Sequence, residues 1–188
     1  MTTPRTLAAG AAAVACLMLA GCSETPPKIE PGTGLTLPTR APQDRPVAPN
    51  LTAPDLMTGK TLKLNTYRGK VVVLNGWSFT CGPCRAETPA LQRFQDKNAK
   101  NVQVIGLTQD DNQDTSRSFI REFKLTYPSF ADRNGKQILR MPRGEFNPQF
   151  LPYTAFIDRK GRLAATVSGT ITEGRLTAIT QRLIKEKP

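Results

Sequence analysis

The sequence predicts an α/β fold, a mixed central sheet flanked by helices, with an N-terminal β-hairpin extension. Three observations carry the prediction. Two short, continuously apolar runs, "VVVLNGW" (Val71 to Trp77) and "VQVIGLT" (Val102 to Thr108), read as strands buried on both faces. Each is followed by a segment with helical start signals and spacing. The stretch "YTAFIDRKGRLAATVSG" then reads as a hairpin turning at Arg159 to Gly161, with a helix after it. An order βαβα followed by ββα packs as a mixed sheet covered by helices.

Taken in chain order, residues 1–21 are expected to be a signal rather than fold. Arg5 precedes an apolar run from Leu7 to Leu19. At about 13 residues that run suits a signal-peptide core and is short for a membrane span. It closes with Leu19-Ala20-Gly21-Cys22, which resembles the lipobox of bacterial lipoproteins and implies cleavage before Cys22 and lipid addition there. An ordinary secretory signal with an incidental cysteine is the alternative. Residues 22–50 hold seven of the chain's 16 prolines and no apolar periodicity, the composition of an extended tether.

The domain is expected over 51–188. "NLTAPDLMTGKTLKL" reads as a hairpin with Thr58-Gly59-Lys60 as its turn. A helix from about Cys81 to Lys97 shows Leu91 and Phe94 on one face. Asp114 is placed as the cap of a helix running through Phe123. Thr172 begins the last helix, with Leu176, Ile179 and Leu183 at helical spacing.

Composition narrows the chemistry. The chain has no histidine, which excludes imidazole-activated nucleophiles, mixed Cys/His zinc sites and copper sites built on imidazole. Arg85 follows Cys84, so Cys-x-x-Cys-His haem attachment fails. Of four cysteines, Cys16 lies in the signal and Cys22 would be acylated, leaving Cys81 and Cys84. Two thiols are too few for a four-thiolate zinc site in one chain, and they close too small a loop to staple a domain. The pair is therefore read as redox-active, with no metal and no cofactor. The net charge of +11 comes without basic runs or interleaved aromatics, so nucleic acid is not an expected partner.

The local pattern assigns roles. Cys81 at the first turn of a helix faces free N–H groups and the positive end of the dipole, which lower a thiol's pKa and favour the nucleophilic thiolate. Cys84, one turn on, lies on the same side and can close the disulfide, so Cys81 is the expected nucleophile and Cys84 the resolving thiol. Pro83 suits the first turn. Glu87, one further turn along, is a candidate to take the resolving thiol's proton; its alternative is a plain helix-stabilising acid worth about 0.3–1 kcal/mol.

"GKVVVLNGW", "CGPCRAETP" and "PYTAFIDRKG", in this layout, resemble the thioredoxin fold and, more narrowly, its extracytoplasmic, membrane-anchored TlpA/ResA-like branch, from about Asn50 to the C-terminus. The resemblance implies a functional glutamate at Glu87 and a cis-proline at Pro152, with Leu151 and Tyr153 flanking a bound peptide and Trp77 and Phe79 beside it. The buried aspartate of thioredoxins falls on Asn75. Two departures stand out: Thr80 replaces the tryptophan usually found before the first cysteine, and Gly76 replaces the usual phenylalanine before Trp77. An aromatic lid, if present, would come from Phe79.

The implied activity is thiol–disulfide exchange on proteins carrying a cysteine pair, with a membrane electron-transfer partner and a lipid anchor holding the domain near it. The neutral Gly82-Pro83 insert favours a reductase, for which the haem-attachment thiols of apocytochrome c are the client the resemblance implies. Oxidation or exchange of disulfides in secreted proteins is the alternative. A peroxiredoxin-like peroxidase is remote: Ser78 fits its Pro-x-x-x-Thr-x-x-Cys pattern, but Leu74 stands where the proline should be. The acidic "DDNQD" fails as a calcium loop, because Thr115 and Arg121 occupy the places of its glycine and glutamate.

Overall fold

The structure, a computed structural model, describes residues 39–145 and 147–186. The expected signal, Cys22 and most of the expected tether lie outside them. The central sheet has the order β5-β4-β3-β6-β7. It comprises β3 (Val71–Trp77), β4 (Val102–Thr108), β5 (Ser129–Ala131), β6 (Tyr153–Ile157) and β7 (Leu163–Ser168). β3 pairs in parallel with β4 and β4 with β5, whereas β6 and β7 run antiparallel. Both runs expected as doubly buried strands occupy the middle of this sheet, as their unbroken apolar character requires.

The side chains of β3 alternate between two cores. Val71 and Val73 face one that includes Leu91, Phe94, Leu176, Ile179 and Leu183, from helices α1 (Gly82–Asn98) and α3 (Glu173–Lys185). Val72 and Leu74 face the other, built with Ile105, Leu107, Phe130 and Ile157 and covered by Leu51, Leu62, Leu64, Ile138 and Met141. Each fully buried side chain of this size contributes roughly 1.5–3 kcal/mol. The second cover includes the hairpin of β1 (Thr52–Pro54) and β2 (Thr61–Lys63), a separate two-stranded sheet. Helix α2 (Gln113–Glu122) adds Phe119 and Ile120 to a third cluster around Trp77 and Cys84.

The structure corrects several expectations. Folded chain begins before residue 51. Pro42–Asp44 forms a turn of 3-10 helix, Ala48 is buried, and Arg40 N donates to Ala164 O while Leu163 N donates to Pro46 O. Arg45 is buried among carboxylates, donating to Asp158 Oδ2 at 3.1 Å and through two nitrogens to Glu186 at 2.6 and 2.7 Å. Helix α2 is capped by Asn112 rather than Asp114: the Asn112 side chain accepts from the N–H groups of Asp114 and Thr115. Asp114 instead pairs with Arg117 in the first turn. β5 was not expected; its three residues follow Pro128, and Leu56 N donates to Ser129 O on its free side.

Candidate active site

β3 ends at Trp77, and the chain turns through Ser78-Phe79-Thr80 into α1. Cys81 is the N-cap of that helix, and its sulfur accepts a hydrogen bond from Cys84 N at 3.2 Å. Gly82 and Pro83 form the exposed start of the helix, where a missing proline N–H costs nothing. Cys81 and Cys84 are joined in a disulfide, with Cα atoms 5.2 Å apart. The two sulfur-bearing residues are unequal: Cys81 is half-buried, whereas Cys84 has no accessible surface.

Glu87, one turn beyond Cys84, is buried with only 4% of its surface exposed. Its Oε1 accepts from Asn75 Nδ2 at 2.8 Å, and its Oε2 accepts from Ile171 N at 2.7 Å. Asn75 Nδ2 also reaches Thr154 Oγ1 at 3.2 Å. Burial raises the Glu87 pKa from 4.5 to about 7, against the lowering effect of the bonds from Ile171 and Asn75. Burial, reinforced by the Glu87 charge, also pushes up the pKa of the Tyr127 hydroxyl. The sequence marks Asn75 only as the place of a missing aspartate; in the structure its side chain, from β3, donates to the Glu87 carboxylate on α1.

The folded state thus binds the Glu87 proton more tightly than the unfolded chain does. Below the unfolded pKa of 4.5 this site imposes no penalty; from there to about 7 stability falls as pH rises, and above about 7 the loss is complete. The shift corresponds to on the order of 3 kcal/mol. Glu87→Gln is therefore expected to gain stability relative to the parent as pH rises from 5 to 8, in denaturant midpoints measured across that range. A constant offset between the two proteins at every pH would refute the assignment.

The Leu151–Pro152 peptide bond is cis, as the resemblance implied. Leu151 packs, with Phe79 and Cys81, against the cluster containing Cys84. Pro152 itself is buried, and its carbonyl accepts from Gly169 N. Two expected substrate contacts are corrected. The Tyr153 side chain is fully buried, lying where a Cβ on Gly76 would sit only 2.1 Å from the ring. Trp77 is buried too, stacked on Phe119 at 4.4 Å between ring centroids. Neither ring can touch a client. Phe79 stays half-buried beside the Arg85 guanidinium, which also lies over Phe119 and Phe123. Phe150, directly before Leu151, is 70% exposed and was missed; an aromatic next to the Leu-Pro pair was the available signal.

A thioredoxin-type sheet that presents a Cys-x-x-Cys disulfide at the strand-to-helix junction, with a cis Leu151–Pro152 bond whose leucine packs against the same cluster, defines a thiol–disulfide oxidoreductase. Comparison with known proteins agrees. Residues 45–166 match the AhpC/TSA family. The thiol-disulfide oxidoreductase ResA of Bacillus cereus is 30% identical over 137 residues, covering 72% of this chain and 76% of that protein. The thioredoxin-like protein YneN of Bacillus subtilis is 29% identical over 64% of this chain and 72% of its own length. Among solved structures, a secreted thiol-disulfide isomerase from Corynebacterium glutamicum superimposes with a TM-score of 0.74 at 25% identity, over 86% of this chain and 99% of that one. A DsbF homologue from Corynebacterium diphtheriae gives 0.72 at 26% identity, over 83% and 98%. The chain belongs to the AhpC/TSA family and is one of its ResA-like thiol–disulfide oxidoreductases.

Proposed function

We propose that this enzyme is an extracytoplasmic reductase of protein disulfides, lipid-anchored at Cys22 and working through Cys81 as the attacking sulfur. The observation that carries the exchange chemistry and the order of attack is the asymmetry of the pair, with Cys81 partly accessible at a helix N-cap and Cys84 fully covered. The reductase direction is supported by the uncharged Gly82-Pro83 between them. In the reduced enzyme the Cys81 thiolate attacks a client disulfide, and one client sulfur leaves as thiolate. Cys84 then gives up its proton and attacks the Cys81 sulfur. The second client sulfur leaves, two electrons have passed to the client, and the Cys81–Cys84 disulfide has formed. Glu87, with a pKa near 7 one turn from Cys84, is suited to accept that proton and return it on re-reduction.

Support for the location comes from the secreted solved relative and from the lipobox-like Leu19 to Cys22. Residues 22–38 would serve as the tether, and a membrane partner would resupply electrons. The ResA resemblance supports the haem-attachment cysteines of apocytochrome c as the client. The deciding experiment is the reduction potential of the pair, equilibrated against glutathione or dithiothreitol. A value at or below about −250 mV is expected for a dedicated reductase; one above about −150 mV would overturn that direction and assign disulfide formation in secreted proteins.

A further inference from the structure

The turn that presents Cys81 is held by a carboxylate from the loop after β4. Asp110, two residues past the end of β4, accepts from Ser78 Oγ at 2.6 Å through Oδ1, and from Phe79 N at 2.9 Å and Ser116 Oγ at 2.8 Å through Oδ2. Ser78 is the hub of the turn: its carbonyl accepts from Cys81 N at 3.2 Å, and its hydroxyl lies 3.2 Å from Thr80 Oγ1. Asp110 is half-buried, so its charge is only partly screened by water.

We infer that Asp110 is a positioning residue for the redox pair, fixing the Ser78–Cys81 turn and placing a negative charge that opposes thiolate formation at Cys81. The free N–H groups of α1 favour that thiolate, and Asp110 works against them. Arg85, the cation one turn beyond Cys81 on α1, is engaged by Glu122 in an ion pair while it lies over Phe79. Asp111, the next carboxylate along, is exposed.

Reducing the disulfide adds two electrons, with two protons if Cys81 ends as a thiol and one if it ends as a thiolate. Anything that destabilises the thiolate therefore makes the pair a better electron donor. Asp110 tunes the centre toward donation although it touches neither sulfur's client. The inference rests on the reading of Cys81 as the attacking sulfur.

The test compares Asp110→Asn with Asp111→Asn, which removes the same charge one residue along and no bond to the turn. In Asp110→Asn the Cys81 pKa, followed by thiolate absorbance in the reduced protein, is expected to fall by about 0.5–1 unit. The equilibrium with glutathione is expected to shift toward the dithiol by about three- to tenfold, a tenfold change being about 30 mV. Asp111→Asn is expected to stay within about twofold of the parent. Asp110→Ser carries the same expectation should the amide variant not fold. A variant at Asp110 that changes only thermal stability, leaving pKa and exchange equilibrium as in the parent, overturns the inference, and so does an equal shift in Asp111→Asn. Cys81→Ser challenged with a protein disulfide separates the two readings: if it still reacts, the role of Cys81 is what has failed.

Discussion

Cys84→Ser is expected to react once with a client and stop, while Cys81→Ser does not react at all. The physical reason is the unequal cover over the two residues. Cys81 sits at the surface end of α1, where helix N–H groups favour its thiolate, and Cys84 has no accessible surface. With Cys84 absent, the mixed disulfide between Cys81 and the client lacks its internal attacker and accumulates. With Cys81 absent, a client sulfur cannot approach the thiol that remains, and disulfide reduction is expected to fall by at least about 10³–10⁴-fold. Covalent adducts resolved on non-reducing gels, with turnover measured alongside, check both. If Cys81→Ser formed adducts as readily as Cys84→Ser, the order of attack would be reversed.

The second large effect lies at the other end of β3 and concerns stability. Arg45→Ala is expected to cost about 3 kcal/mol, a large share of the roughly 5–15 kcal/mol that holds a domain together. The Arg45 side chain is 1% exposed and its partner Asp158 4%. Truncation leaves the Glu186 carboxylate without its two-pronged donor and removes one of the donors to Asp158. Burial works to raise the Asp158 pKa, but the bonds from Arg162 and Arg45 outweigh it and hold the value below the usual range. The group's stabilisation is therefore present above the unfolded aspartate pKa and is lost as pH falls through the lowered folded value. Denaturant midpoints at neutral pH test the magnitude. A loss below about 1 kcal/mol, typical of a surface pair, would mean that the segment before residue 51 only rests on the domain.

What the sequence disclosed follows from how local each signal is. The strands β3 and β4 declare themselves because burial on both faces makes six or seven consecutive residues almost uniformly apolar. The disulfide pair, the helix starts near Cys81 and Thr172, which the structure makes N-caps, and the β6–β7 turn at Gly161 are equally local. The Arg45 clamp was not legible, because a proline-rich composition reads as tether and Arg45 meets Asp158 and Glu186 only through the fold. Asn112 and Asp114 both suit an N-cap, and only backbone geometry chooses between them. Tyr153 and Trp77 looked available to a client from their places in the motif. The departure at Gly76 and the burial of Tyr153 are one event seen from neighbouring strands: Gly76 pairs with Tyr153 across β3 and β6, and the tyrosine ring fills the space a larger residue at 76 would need.

The outer strands of the sheet have a further consequence. On β7, backbone groups of Leu163 and Ala164 are taken up by Pro46 and Arg40; on β5, the carbonyl of Ser129 is taken up by Leu56. A bare outer strand is a template on which another molecule can add its own, the common route to sheet-mediated aggregation. Here the same N-terminal stretch that runs ahead of the sheet blunts both of its flanks. A protein whose work is to handle partly unfolded clients, themselves rich in unpaired backbone, thereby leaves few places for them to join its sheet.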